Sequence, residues 1–194
     1  MLSDRRIVIG VTGGIAAYKT CELVRLCVKA GADVRVAMTR NATEFVTPLT
    51  YEALTRNPVV AEMFATSSHE GTGAADVSHA PMRTQHIELA RWAELILIAP
   101  ATANILAKAA HGLADDFLST FILATTAPVA FAPAMNSVMW GAAATRRNCA
   151  LIAELGHTVL PTGYGPMAEP EAGEGRMLEP HELFDRLVAR LPRR

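Results

Sequence analysis

Cysteine is scarce in this 194-residue chain: there are three, Cys21, Cys27 and Cys149, and no two form a CxxC pair. An odd, scattered set excludes a disulfide framework and a cysteine metal site, and it reads as reduced residues in helical segments of a cytosolic protein. The chain also lacks a dominant charge sign. Its formal net charge is -1 with the signs interspersed, which excludes the electrostatic footprint of a nucleic-acid or bilayer-binding surface and leaves the basic end "RLPRR" as a solvated tail. No apolar run reaches the roughly 18 to 20 residues that a membrane span needs. The start, "MLSDRRIVIGV", passes from charges straight into a strand-like run without a cleavage region, so a soluble, cytoplasmic protein is expected. The six histidines (69, 79, 86, 111, 157 and 181) contain no HExxH and no other metal set. Repeats and low-complexity tracts are missing too, which leaves one domain over residues 1–194 as the economical reading.

What the chain has is apolar residues, 51% of the total, arranged as short continuous runs alternating with longer helical patterns. That alternation predicts an α/β fold, a Rossmann-like, doubly wound parallel sheet with helices on both faces in a flavodoxin-like three-layer arrangement. Strands are expected at 6–11, 33–38, 93–100, 127–133 and 157–161, the last three closed by proline. Helices are expected at 15–30, ending at Gly31, and at 179–191, with a helical segment after the second strand interrupted by Pro48. Residues 65–85 and 161–180 are polar or rich in Gly and Pro, without a period, and read as long loops of the kind that often form lids.

Chemistry-bearing residues collect where strands end. "GVTGGIAAYK" (10–19) has the small residues that let a helix start approach an anion or a flat ring, yet it matches neither GxGxxG nor GxxxxGK[ST]. A tight turn needed only for packing is the other reading of the same stretch. After the second strand come Thr39, Arg40 and Asn41, where a dinucleotide site would place an acid. Hydroxyl, guanidinium and amide suit a phosphate monoester and favour a mononucleotide such as FMN over NAD, although an arginine in a turn is commonly just exposed. Thr102 and Asn104 follow the third strand, as helix caps or as ligand contacts. Asp115 and Asp116 are placed to cap "FLSTFILAT". His86 stands at the start of a helix, as a capping or surface residue or as a catalyst. Asn136, in "FAPAMNSVMW", leaves the fourth strand among Met135, Met139 and Trp140. It reads either as an N-cap beside an apolar core patch or as a neutral donor to a ligand carboxylate.

Taken together, "GVTGGIAAYK", "VRVAMTRNATEFVTPLT", "HIELARWAELILIAPATANILAKAAHGLADD" and "APAMNSVMW", with "GEGRMLEP" behind them, resemble the flavin-dependent cysteine decarboxylases, in particular the branch that acts on 4′-phosphopantothenoylcysteine in coenzyme A biosynthesis. The resemblance implies FMN as cofactor, faced by Gly14, Ile15 and Ala16, with Thr39 at its phosphate and Thr102, Ala103, Asn104 and Ile105 as further contacts. It implies His86 as the active-site histidine and Asn136 with Met139 as binders of the substrate carboxylate. It further implies a homotrimer, or a dodecamer of trimers, whose sites are completed by a neighbouring subunit. A separate phosphopantothenate-cysteine ligase is the expected partner, because the ligase domain fused to many members does not follow here.

The family chemistry oxidises the cysteinyl unit by hydride transfer to FMN, giving a thioaldehyde that accepts the electrons left when CO2 departs. Returning hydride and a proton to the enethiolate then gives 4′-phosphopantetheine. This sequence departs from the family at one point. Where the family carries a cysteine as the last proton donor, the loop "MAEPEAGEGRM" has Glu169, followed by Pro170. A carboxylic acid of raised pKa could donate in its place. Two alternatives follow from the missing cysteine: a peptidyl-cysteine decarboxylase that stops at an enethiol, and a non-catalytic FMN-binding regulatory subunit.

Overall fold

The computed structural model describes residues 2–63, 85–166 and 172–191. Strands β1 (Arg6–Val11) and β2 (Asp33–Met38) pair in parallel, with Ile7 beside Val34 and Val11 beside Met38. Helix α1 (Ala17–Lys29) makes the crossover between them and ends before Gly31, whose φ of +94° suits a residue without a Cβ. Strands β3 (Leu95–Ala101), β4 (Val129–Pro133) and β5 (Thr158–Val159) complete a parallel sheet of order β2-β1-β3-β4-β5. This is the expected doubly wound architecture. The third strand begins at Leu95 rather than at 93, since the Ala93 N–H still bonds to the Leu89 carbonyl (3.0 Å) and closes the preceding helix.

Both faces of the sheet are covered, which is why its strands read as unbroken apolar runs. Ile7, Ile9, Leu95 and Leu97 face one cluster, together with Leu23, Tyr51 and Leu183 from α1, α2 (Pro48–Thr55) and α8 (Pro180–Val188). Val8, Ile96 and Ile98 face the other, with residues of α3 (Gln85–Trp92), α4 (Ala103–His111), α5 (Phe117–Ala124) and α7 (Ala143–Glu154). Each fully buried Ile or Leu side chain contributes about 1.5–3 kcal/mol. Asp116 caps α5, accepting from the Ser119 N–H at 2.8 Å, as expected for one of the two aspartates. Asp115 does not cap the helix, and both aspartates pair with Lys108 at 2.6 Å. Among the described residues no helix is long and apolar enough to cross a membrane.

Two expectations need correction. Pro48 does not interrupt a helix. A 3-10 turn (Arg40–Glu44) precedes it, and Pro48 opens α2, where a missing N–H costs nothing. The stretch 161–180 is not all loop: β6 (Gly163–Pro166) and β7 (Ala172–Arg176) form a two-stranded antiparallel sheet. Its strands, "GYGP" and "AGEGR", have almost no β-favouring side chains, so tertiary contacts decide their conformation.

Candidate active site

The strand order reverses between β1 and β3, and at such a switch point the crossovers diverge and leave a crevice beyond the carboxyl ends of the strands. Here the crevice is a cleft of about 610 Å³, in the size range of small-molecule and cofactor sites. Its floor is fastened by hydroxyls. The register between β3 and β4 shifts between Ile98 and Ala101, which leaves carbonyls without ladder partners. The Thr20 hydroxyl donates to the Ala99 carbonyl (2.8 Å) and the Thr12 hydroxyl to the Pro100 carbonyl (2.6 Å). Thr12 Oγ1 also accepts from the Thr102 N–H at 3.2 Å, locking the end of β1 to the start of α4.

The glycine turn realises both readings of its sequence, at different residues. A Cβ on Gly13 would lie 2.5 Å from the Asn41 Cβ, so that glycine is required by packing. Gly14 has only the Thr102 methyl (3.6 Å) and Pro100 (3.8 Å) near the same position and lines the cleft with Ile15 and Ala16. Thr102 and Ala103 line the cleft as well. Thr102 occupies the N-cap position of α4 but makes no side-chain cap, so its hydroxyl leaves the first-turn N–H groups of that helix to other partners.

The opposite wall carries Asn136. Its Oδ1 accepts from the Met139 N–H at 2.8 Å and caps the short helix α6 (Ser137–Gly141). The cap fixes the orientation of the amide: with the oxygen engaged, Nδ2 is the end left to donate to a ligand. Cap and ligand contact are therefore compatible roles of one side chain. Ala134, Met135 and Met139 make the surroundings apolar.

Strand β7 packs against the turn that carries Asn136 and lines the cleft with Gly175 and Arg176. The Gly175 carbonyl accepts from the Met135 N–H (3.0 Å), and a Cβ on Gly175 would collide with the Met135 carbonyl oxygen. At Gly173 it would lie 2.8 Å from the Ser137 Cβ. Gly175 also has a φ of +116°, which disfavours any other residue. Arg146 lies over the Trp140 ring at 4.5 Å and reaches Glu174 at 3.7 Å. Beyond Gly175, Arg176 meets Glu179 (2.6 Å), which also accepts from Lys19 (2.8 Å). The Lys19 hydrogen bond is the main cause that holds the Glu179 carboxyl below the usual carboxylate range. Lys19 and Arg176 both line the cleft.

Of the expected site residues, Gly14, Ile15, Ala16, Thr102, Ala103, Asn136 and Met139 converge on this cleft. Asn104 is exposed and Ile105 is buried in the second-face core, so neither side chain lines it. Thr39 sits just outside the lining at the exit of β2, and its Oγ1 is buried without a hydrogen-bond partner among the described residues. His86 is half-buried at the start of α3, on the sheet face opposite α1 and α8, and does not line the cleft of its own chain. Glu169 lies outside the described residues, as does most of the expected loop 65–85. None of the three cysteines lines the cleft, and burial pushes the Cys27 thiol up to about 12. Sequence reasoning missed Lys19 and Arg176. Their only signal was position, one helical turn after the glycine turn and next to Gly175.

An open parallel sheet with a cleft at its switch point defines a ligand-binding protein of the doubly wound α/β class. The chain belongs to the Flavoprotein family, whose model matches residues 1–192. It is 45% identical over 188 residues to the coenzyme A biosynthesis bifunctional protein CoaBC of Escherichia coli K12, covering 97% of this chain and 43% of that protein. The CoaBC of Bacillus subtilis is 42% identical over 183 residues, covering 94% and 42%. The chain thus spans less than half the length of these relatives. Among solved structures, a cysteine-to-serine mutant of PPC decarboxylase complexed with pantothenoylaminoethenethiol superposes with a TM-score of 0.77 at 31% identity, covering 96% of this chain and 97% of that one. The FMN-dependent cysteine decarboxylase SpaF gives a TM-score of 0.74 at 30% identity, covering 97% and 98%.

Proposed function

We propose that this chain is an FMN-dependent decarboxylase that converts 4′-phosphopantothenoylcysteine to 4′-phosphopantetheine in coenzyme A biosynthesis. The observation that carries the reading is the amide of Asn136, turned by its own helix cap so that a neutral donor serves an apolar cleft. The similarity to CoaBC and to PPC decarboxylase supports the same substrate.

The residues present fit FMN. Thr39 Oγ1 is a buried hydroxyl without a partner among the described residues, and it suits the phosphate. Gly14 leaves the cleft wall flat enough for a ring, and the uncapped first turn of α4, which starts at Ala103, offers further N–H donors. Bound there, FMN supplies the hydride acceptor that a cysteine carboxylate lacks on its own.

The protein's part is placement and proton handling. Asn136 Nδ2 donates to the substrate carboxylate without adding charge, and Met135 and Met139 keep water from it, which favours conversion of a localised anion to neutral CO2. Glu169 delivers the final proton to Cα in place of a cysteine. His86 serves the cleft of a neighbouring protomer, a reading supported by its absence from the lining of its own. Ile15, Tyr18 and Met139 are exposed at the cleft rim, which supports an assembly in which a second copy covers that rim, a homotrimer or a dodecamer of trimers. We place the activity in the cytoplasm, in one FMN-binding unit over residues 1–194, with the phosphopantothenate-cysteine ligase as partner; the bifunctional nature of CoaBC supports that pairing.

The test is anaerobic mixing of the purified flavoprotein with 4′-phosphopantothenoylcysteine. The expected outcome is CO2 release and a product of the mass of 4′-phosphopantetheine. Protein purified without flavin, or with flavin but no CO2 release, contradicts the reading.

A further inference from the structure

The turn of Gly14, Ile15 and Ala16 enters α1 tightly: the N–H groups of Ala17, Tyr18 and Lys19 donate to their carbonyls at 2.9, 3.4 and 3.0 Å, each three residues back. Ala16 stands at the N-cap and gives the helix no side-chain cap. Support comes from behind. Tyr51, on α2 and fully buried, donates its hydroxyl to the Ala17 carbonyl at 2.9 Å, and the Cys21 thiol points at the same oxygen from 3.9 Å. Burial pushes the Tyr51 phenol above its ordinary value, which keeps it a donor. Tyr51 itself does not line the cleft. Its helix closely follows the 3-10 turn Arg40–Glu44, and the residue at the head of that turn is Thr39, whose hydroxyl suits the FMN phosphate. Ala17, Ala42 and Tyr51 share one buried cluster, with Ala16 packed on it.

We propose that Tyr51 is a positioning residue for the cofactor: its hydroxyl fixes the distance between the turn that faces the flavin ring and the turn that takes the phosphate, so that one FMN engages both. The proposal rests on the placement of FMN given above. A ligand held at two ends gains from the second grip only where the anchors already stand at its span, because otherwise the protein must be ordered on binding. Two contacts set that span. In front, a Cβ on Gly13 would come within 2.5 Å of the Asn41 Cβ, so the turns already touch there and approach no further. Behind, the hydrogen bond from Tyr51 to Ala17 limits how far they part. The helix α1 cannot follow a shift of α2, since the Thr20 hydroxyl ties it to the Ala99 carbonyl at 2.8 Å. A hydrogen bond is directional and apolar burial is not, so phenylalanine at position 51 would fill the same space without fixing the distance.

The experiment measures FMN and riboflavin affinity by fluorescence titration of the flavin-free protein, for the native chain, Tyr51→Phe and Thr55→Val, with a urea titration of each. Riboflavin presents the ring without the phosphate and uses one anchor only. Tyr51→Phe is expected to weaken FMN binding by about 10-fold and riboflavin binding by no more than about twofold. Thr55→Val removes a buried hydroxyl that donates to the Tyr51 carbonyl (2.8 Å) within the same helix, so it controls for stability and should leave the ratio of the two affinities at its native value. Equal losses for both flavins in Tyr51→Phe, or native FMN affinity there, overturn the proposal, and so does the same change of ratio in Thr55→Val. Should Tyr51→Phe fail to fold, hydrogen exchange of the native protein decides: FMN is expected to slow exchange in α2 more than riboflavin does, and equal protection by both overturns it. Thr39→Val separates the two failures, since a loss for riboflavin as large as for FMN defeats the placement of the phosphate on which the proposal rests.

Discussion

The two walls of the cleft are built on different principles. The wall from Thr12 to Lys19 and Thr102 is an extension of the parallel sheet: hydroxyls of Thr12 and Thr20 tie strand ends together, and buried apolar residues stand behind every element. Among the described residues of β6 and β7, none belongs to either buried cluster. That wall is held by glycines fitted against the turn that carries Asn136, by one backbone hydrogen bond from Met135, and by the ion pairs of Glu179. The first wall is therefore expected to keep its shape in the absence of ligand, while the second depends on close fit and charge. A rigid cofactor cradle facing a wall held by a few specific contacts lets substrate recognition vary without disturbing the fold.

The comparison breaks most visibly at Gly175. Gly175→Ala places a Cβ against the Met135 carbonyl oxygen at a positive φ, costing the docking of the hairpin about 1–3 kcal/mol. Decarboxylation should fall by about 10- to 100-fold while bound FMN and the main thermal transition persist, since the sheet is untouched. A calorimetric scan beside an activity assay checks both halves. At the other wall, Thr12→Val leaves the buried Pro100 carbonyl and the Thr102 N–H without their partner, at about 1–3 kcal/mol of global stability, read by urea titration. There the loss should appear in stability and FMN retention together. The smallest effect sharpens the role of charge. Because the folded-state pKa of Glu179 lies below its ordinary value, the bridge stabilises the protein above about pH 4.5 and that contribution is lost as pH falls through the lower folded value. Glu179→Gln should flatten that part of the acid profile, and a pH series of melting temperatures measures it.

The same contrast explains what could be read from the sequence. β1 and β2 were legible to the residue because buried parallel strands are continuous apolar runs, and "RIVIGV" and "DVRVAM" end at turn residues. The cap at Asp116 and the placement of Gly14 and Asn136 at strand exits were legible for the same reason: local chemistry decides them. The pair β6 and β7 was not, because "GYGP" and "AGEGR" acquire strand geometry only by docking on Asn136's turn. Asn104 and Ile105 went astray because each residue turns the helix by about 100°: Ala103 faces the cleft, Asn104 is exposed and Ile105 faces the core. Lys19 and Arg176 are 157 residues apart in sequence (176 less 19), and only Glu179 makes them neighbours.

The central claim is that Asn136 grips the substrate carboxylate with Nδ2 while Oδ1 holds its helix. Asn136→Asp separates the two roles, since a carboxylate can still cap the Met139 N–H but repels the substrate's acid. The account predicts native flavin content and melting temperature for this variant, with flavin bleaching by 4′-phosphopantothenoylcysteine slowed by about 100-fold or more in anaerobic stopped flow. Bleaching at the native rate would contradict it.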